Sequence, residues 1–311
     1  MARVVCAGIL VADVFVPPLV RLPAAGELLV TDEFLVQPGG CAANAAIALR
    51  RQEADVAVVG CVGDDPFGEL VERGLRAHGI DTSAIRRVPG LGTAKTVIVP
   101  VAGEDRRYIH TFGANAALGA GDLAGRAIET AEALYVGGYL LLPGLRGPEL
   151  AERLAAVRAR GARVVLDVAV PGGAAVSLAD VAPVLPHVDW FVANEDEARA
   201  LTREREPERQ IEMLVEAGTR AAAVTRSERG AVVAAGDERF SVPAPTVEVV
   251  EPSGAGDAFA AGLISALLDG LDARASVERA CVLGASACTA LGCAAGVFTR
   301  DELDAYLAAS R

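Results

Sequence analysis

The stretch Val249 to Gly262, VVEPSGAGDAFAAG, packs glycines around one carboxylate, Asp257, and runs straight into an alanine-rich apolar segment. Glycine permits backbone geometries closed to other residues and lets a ligand approach the main chain. Ala258 to Leu268 reads as a helix. Gly254, Ala255 and Gly256 would then aim free amides at an anion, because the first turn of a helix has donors without partners and a dipole that favours negative charge. A carboxylate beside that anion is repelled by it. The pairing makes sense where the anion is a phosphate and the carboxylate takes the proton of a hydroxyl attacking it, as phosphoryl transfer requires. The same residues also read as an ordinary glycine turn with Asp257 as a helix cap, and a short glycine motif does not choose between the two. Two other nucleotide motifs are missing. A P-loop needs G-x-x-x-x-G-K-[ST], which the lone Lys95 in GTAKTV does not fit, and VVCAGILVAD supplies one glycine rather than G-x-G-x-x-G.

A second constellation is QPGGCAANAAIALRRQ, Gln37 to Gln52. Gly39 and Gly40 lead into a helix with Asn44 in its first turns, so backbone amides and a carboxamide can converge on a hydroxyl-bearing ligand; tight packing of a helix start against a sheet would use the same residues. Asp13 directly follows the first strand, where parallel sheets bind ligands, and a carboxylate there can accept hydrogen bonds from two neighbouring hydroxyls. The six cysteines sit singly, without a C-x-x-C pair, and the three histidines are scattered, so the cysteines read as reduced, small hydrophobes rather than as a disulfide or zinc framework.

These groups need a scaffold, and composition limits it. The chain has 311 residues, 52% hydrophobic and 4% aromatic, enough for a substantial core of Ala, Val and Leu in one domain. A formal charge of −12 argues against a nucleic-acid partner, since phosphate backbones select for clustered Lys and Arg. The opening MARVVCAGILVADVF reads as a buried strand rather than a signal peptide, because Asp13 follows at once. The uncharged run Ala280 to Thr299 has the length of a membrane span but is studded with Gly, Ser, Thr and Cys; it reads as a buried helix ending in a glycine turn.

Short Val-rich runs alternate with longer segments of helical period, the pattern of a parallel sheet with helical crossovers. ADVAVVG, ALYVGG, ARVVLDV, VDWFVAN and AAAVT are the strands. Helices are expected after Asp65, a predicted N-cap with Pro66 behind it, and near Pro148 to Arg160, Glu195 to Leu201 and Pro207 to Ala217. Two regions break the alternation: Glu27 to Val36, and Thr93 to Thr111, a hairpin turning at Ala102 to Asp105. Paired into a small sheet over the site, they would serve as a lid.

Taken together these residues resemble the ribokinase-like (PfkB) family of carbohydrate and nucleoside kinases, over nearly the whole chain. GGCAANAAIAL, GCVGDDPFGELVERGLRAHGID, GANAAL, VANEDEARAL, VTRSERGAVV and EPSGAGDAFAAGLISALLDG match in order and approximate spacing. The resemblance implies a three-layer α/β/α sandwich with a mostly parallel central sheet, forming a single domain over residues 1–311 with β lid segments at about 13–36 and 93–112. It implies an ATP- and magnesium-dependent sugar kinase, with Asp257 as the base and Gly254, Ala255 and Gly256 as the anion hole. Asp13, Gly39, Gly40 and Asn44 would hold the sugar. Asn194 and Glu197 match an N-x-x-E element that organises magnesium through water, and Thr225 and Gly230 fall in a nucleotide loop. A nucleoside kinase of the same family is the alternative, and a regulatory protein that only binds sugar or nucleotide is a further one. Such proteins often pair through their lids, so a cytoplasmic homodimer is expected, with no membrane partner. Two departures stand out. Glu251, Pro252 and Ser253 replace the Asp-Thr-Thr that helps bind a monovalent cation in ribokinases, which puts potassium activation in doubt, and Ser227 stands where glycine is common.

Overall fold

The structure, a computed structural model, describes residues 3–104 and 106–309. Its strands are β1 (Arg3–Gly8), β2 (Val11–Phe15), β3 (Leu35–Gly39), β4 (Asp55–Gly63), β5 (Asp81–Val88), β6 (Ala94–Val99), β7 (Arg107–Thr111), β8 (Ala133–Gly137), β9 (Arg163–Asp167), β10 (Trp190–Asn194), β11 (Ala221–Thr225), β12 (Ala231–Ala235) and β13 (Glu238–Val242). The helices are α1 (Cys41–Arg51), α2 (Pro66–Ala77), the single turn α3 (Arg126–Glu129), α4 (Pro148–Ala159), α5 (Glu195–Thr202), α6 (Pro207–Glu216), α7 (Ala255–Leu268), α8 (Ala273–Ala287) and α9 (Arg300–Ala309).

The large sheet runs β13-β12-β11-β10-β9-β8-β1-β4-β5, parallel except where β12 and β13 join antiparallel at one edge. Side chains alternate across a strand. Val4 and Cys6 of β1 therefore enter the core built with α1, α7 and α8, while Val5 and Ala7 enter the core on the opposite face with α4, α5 and α6. Covering both faces explains why the strand sequences read as nearly unbroken apolar runs, and it gives the expected three-layer α/β/α architecture. Helix α2 begins as anticipated, with Asp65 accepting from the Gly68 amide at 2.8 Å and Pro66 in the first turn.

From β1 the chain builds outward to β4 and β5, then returns to β8 on the other side of β1. Connections leaving the carboxyl ends of β1 and β8 diverge there, opening the crevice that parallel sheets offer to ligands. Over this crevice lies a second sheet of order β3-β2-β6-β7. Across it, Gln37, Asp13, Thr96 and His110 are successive cross-strand partners, as are Val36, Val14, Val97 and Ile109 on the opposite face.

Three expectations need correction. Of the β-like stretch Glu27 to Val36, only Leu35 and Val36 belong to a strand; β3 runs on to Gly39. Upstream, Pro17, Pro18 and Pro23 interrupt the ladder and the chain turns on itself, with Arg21 bidentate to Glu27 and the Ala24 amide donating to the same carboxylate at 2.7 Å. In the uncharged run Ala280 to Thr299 the helix begins earlier, at Ala273, and stops at Ala287, because Ser286, Cys288 and Thr289 turn their hydrogen bonds back on the last helical carbonyls. The C-terminal signature helix starts at Ala255, three residues before the expected Ala258. The β6–β7 hairpin forms as read; Asp105, in its expected turn, lies outside the described residues. Among the described residues no helix is long and apolar enough to cross a membrane.

Candidate active site

Helix α7 begins at a left-handed Gly254, φ 84°, whose added Cβ would sit 2.1 Å from the Cys293 carbonyl oxygen. Only glycine fits there. The first intrahelical bond of α7 is made by the Ala258 amide to Gly254 oxygen, 2.9 Å, so the amides of Gly256 and Asp257 precede the ladder, whereas the Ala255 amide, expected from the sequence to be free, donates to the Pro252 oxygen at 3.4 Å. Among the described residues no atom lies within 4 Å of where a Cβ on Gly256 would be, leaving open space in front of this turn.

Asp257 is in the same turn, and its carboxylate is held from two sides. Asn44 Nδ2, from α1, donates to Oδ2 at 2.9 Å, and the Tyr135 hydroxyl, from β8, lies 3.4 Å from Oδ1. The Cys41 thiol donates to the carboxylate as well. Burial pushes the Asp257 carboxyl up to about 6 against the pull of these donors. Asn44 is 5% exposed, and its Oδ1 makes no hydrogen bond to any described residue. A buried acceptor left so costs stability unless a ligand satisfies it.

Asp13 faces the crevice from the second sheet and is also pushed up to about 6 by burial, partly offset by hydrogen bonds from Thr96 and from Cys293 Sγ (3.7 Å). Gly39 clears the way for it: a Cβ there would fall 1.8 Å from Asp13 Oδ2. Gly40 is the N-cap of α1. The structure therefore brings Asp13, Gly39, Gly40, Asn44 and Asp257 into one crevice.

Asn194 ends β10 and caps α5, accepting from the Glu197 amide at 2.9 Å, while the Glu197 carboxylate accepts from the Asn194 amide at 2.8 Å. This reciprocal cap is a structural role in itself. Glu197 also faces the site: burial, together with the charge of Asp257, pushes it up to about 7. Thr225 lies beside Asn194 in the β10–β11 register, and Gly230 immediately precedes β12 beyond it. Ser227, between them, has φ 51°, the left-handed region that accounts for glycine being common at this position.

Several residues went unnoticed in the sequence. Asp167 ends β9, a carboxylate at the carboxyl end of a strand, and that placement was the signal available; Asp13, expected just past the first strand, lies instead within β2 of the second sheet. Tyr135 and Cys41 read as core. Thr96 and His110 are joined at 2.9 Å between Oγ1 and Nδ1. Arg106, before β7, pairs with the buried Glu251 at 3.2 Å and bonds Ser253 Oγ at 3.1 Å, tying the second sheet to the loop that precedes α7. Glu251, where a cation ligand was in question, thus faces a guanidinium of its own chain.

Residues 1–300 match the family described as pfkB family carbohydrate kinase. The chain belongs to that family. It is 31% identical over 310 residues to an ATP-dependent ribose-1-phosphate kinase of Halopiger xanaduensis, covering 99% of this chain and 98% of the relative. It is 28% identical over 287 residues to a ribokinase of Bacillus subtilis, covering 92% and 93%. A ribokinase of Arabidopsis thaliana solved with ribose and ATP shares the fold at a TM-score of 0.82 and 23% identity, over 98% of each chain. This pfkB kinase is accordingly a sugar kinase, and the crevice under its second sheet is the candidate active site.

The buried carboxyl groups of Asp13 and Asp257 tie stability to pH. Both bind protons more tightly folded than unfolded, so their burial penalty is relieved as pH falls through about 6 toward 4 and is imposed in full as pH rises above 6. His78 and His110, pushed down by burial, oppose this near neutrality. Glu197, pushed up to about 7, adds to the two aspartates, and the three raised carboxyls outweigh the two histidines. Urea unfolding of the ligand-free protein should show a gain of about 2–5 kcal/mol between pH 7.5 and 5. A stability that declines steadily from 7.5 to 5 would contradict these assignments.

Proposed function

We propose that the protein transfers the γ-phosphoryl group of ATP to a hydroxyl of a small sugar or sugar derivative, with Asp257 as general base and the first amides of α7 as the anion hole. The observation that carries this reading is the Asn44–Asp257 pair. One carboxylate stands between a carboxamide whose buried Oδ1 awaits a hydroxyl donor and a helix start whose amides await an anion.

In the reaction, Asp257 takes the proton of the attacking hydroxyl as its oxygen bonds to the γ-phosphorus, and the bond to the β-phosphate oxygen breaks to release ADP. The amides of Gly254 and Gly256 receive the charge that develops on the transferring group, with Ala255 completing the turn that holds them. Asp13 orients two neighbouring sugar hydroxyls, assisted by Gly39, Gly40 and Asn44. Glu197, a carboxylate crowded by Asp167 and Asp257, is suited to hold magnesium through water, together with Asn194; bound there, the ion neutralises phosphate charge. Thr225 and Gly230 border the nucleotide.

A nucleoside acceptor is the second reading, favoured by the edge-to-face pair of His110 and Phe112 (5.0 Å) beside the half-exposed Tyr108 on the second sheet, where a base could stack. ADP release against pentoses, hexoses, sugar acids, sugar phosphates and nucleosides separates the two. With the best acceptor, Asn44→Ala and Asp13→Ala should each raise its KM about 10–100-fold, equivalent to ~1–3 kcal/mol for an unpaired buried polar group, with KM for ATP within about twofold. A shift in KM for ATP instead would reverse the two ends of the pocket.

We further infer that two copies pair through the outer face of the second sheet, which would close over the sugar as a lid. That face carries the apolar row Val36, Val14, Val97 and Ile109, with Val36 40% and Ile109 67% exposed. Apolar rows left to water mark interaction surfaces. Light scattering at micromolar concentration should give a dimer and Ile109→Glu a monomer; a monomeric wild type ends the proposal.

A further inference from the structure

On the face of the second sheet that looks into the crevice, a carboxylate, a hydroxyl and an imidazole stand in line across three strands. Asp13 of β2, Thr96 of β6 and His110 of β7 are successive cross-strand partners. Thr96 Oγ1 lies 2.9 Å from His110 Nδ1, and the same hydroxyl hydrogen-bonds the Asp13 carboxylate. Asp13 and Thr96 are buried, whereas His110 is exposed, its ring at 87° to that of Phe112 with 5.0 Å between centroids.

A hydroxyl has one proton to give. Given to Asp13 it makes a charge-assisted bond, roughly twice as strong as the neutral bond it could make to an imidazole nitrogen. Thr96 Oγ1 must then accept from His110, so Nδ1 carries the hydrogen. Burial pushes the imidazole down from its ordinary range, which leaves it neutral at pH 7.5 with that single N–H. Nε2 is accordingly a bare acceptor. In any histidine it lies farther from the backbone than Nδ1, so on this face it reaches past Thr96 toward the crevice, and it hydrogen-bonds no described residue. Because β6 separates β2 from β7, Asp13 and His110 stand two strand spacings, roughly 10 Å, apart and can address different hydroxyls of one sugar.

We propose that His110 is a specificity-determining residue of the sugar site: held in its Nδ1–H form by the chain that runs from Nδ1 through Thr96 Oγ1 to Asp13, it offers Nε2 as the acceptor for a sugar hydroxyl other than the pair on Asp13. This rests on the reading of the crevice as the sugar site. A lone pair at that point selects a hydroxyl and repels a carboxylate or phosphate placed there. The two amide side chains divide the roles of the imidazole. Asparagine can set an N–H where Nδ1 stands but reaches nothing at Nε2; glutamine can set its carbonyl oxygen near Nε2.

The test compares His110→Asn, His110→Gln and Thr96→Val in the full-length protein. In nitrogen NMR of isotope-labelled histidine at pH 7.5 without ligand, the ring signals missing from His110→Asn should show, in wild type, a protonated Nδ1 and a bare Nε2, the reverse of the form that free histidine prefers. Thr96→Val should return that ring to the free preference. Among single-deoxy analogues of the best acceptor, one should have a KM about tenfold above the parent with wild type, the scale of one neutral hydrogen bond. With His110→Asn that penalty should vanish, and His110→Gln should restore most of it. A wild-type ring protonated at Nε2 alone, or at both nitrogens, overturns the proposal, as does a set of deoxy penalties that His110→Asn leaves intact. If nucleosides alone are turned over, the sugar reading fails in that assay, and the same deoxy series on the nucleoside's ribose decides the role of His110.

Discussion

Asp257→Asn should lower turnover by at least ~10²–10⁴-fold, the usual loss for a general base, while binding survives. Asparagine keeps the size of the side chain and can still accept one hydrogen bond from Asn44 Nδ2, which now reaches Oδ2 at 2.9 Å, but it cannot take the hydroxyl proton. ATP should bind as well or more tightly, because a negative charge beside the triphosphate has gone. A cap role predicts otherwise: asparagine caps a helix about as well as aspartate, so activity and stability would be almost unchanged. The pair of measurements is kcat with the best acceptor and calorimetric ATP affinity, and near-wild-type turnover would end the mechanism proposed above.

Gly256→Ala should separate stability from activity in the opposite way to most glycine changes. Gly254, two residues earlier, needs its positive φ and its missing Cβ, so alanine there damages the fold itself. Gly256 has no positive φ, and its Cβ position meets no atom within 4 Å. Inside a helix such a glycine costs roughly 0.5–1 kcal/mol relative to alanine. Its retention has a reason if the open space is where the γ-phosphate approaches the backbone. The alanine variant should therefore melt at a higher temperature than wild type and yet lose about 10²-fold in kcat, the scale of a disturbed anion hole. A variant that is both more stable and fully active would place the phosphoryl group elsewhere.

How much of the site was legible depends on how each residue acts. Gly254 to Asp257 announced themselves because a glycine turn, a carboxylate and a helix start are contiguous in sequence and their physics is local. Gly39, Gly40 and Asn44 were visible for the same reason, and Asp13 because it directly follows an apolar strand. Asp167 sits at the end of its own strand, but nothing nearby distinguishes it from a strand-ending carboxylate in solvent. Tyr135 had no signal: a tyrosine in ALYVGG is what a buried strand contains. Glu27 to Val36 looked like a strand because propensity is local, whereas a strand also needs an unbroken neighbour, and the chain turns before β3 reaches one.

The sequence by itself determined the alternation of buried strands and covering helices, the caps at Asp65 and Asn194, and the free amides at the head of α7, since each depends on residues a few positions apart. Only the tertiary structure decided the chemistry between them. Asn44 and Asp257 meet across 213 residues, Tyr135 and Asp257 across 122, and Arg106 finds Glu251 through the hairpin of the second sheet. Burial and through-space charge set how tightly each carboxyl of the pocket holds its proton, and both are properties of the assembled pocket that no local stretch of chain contains.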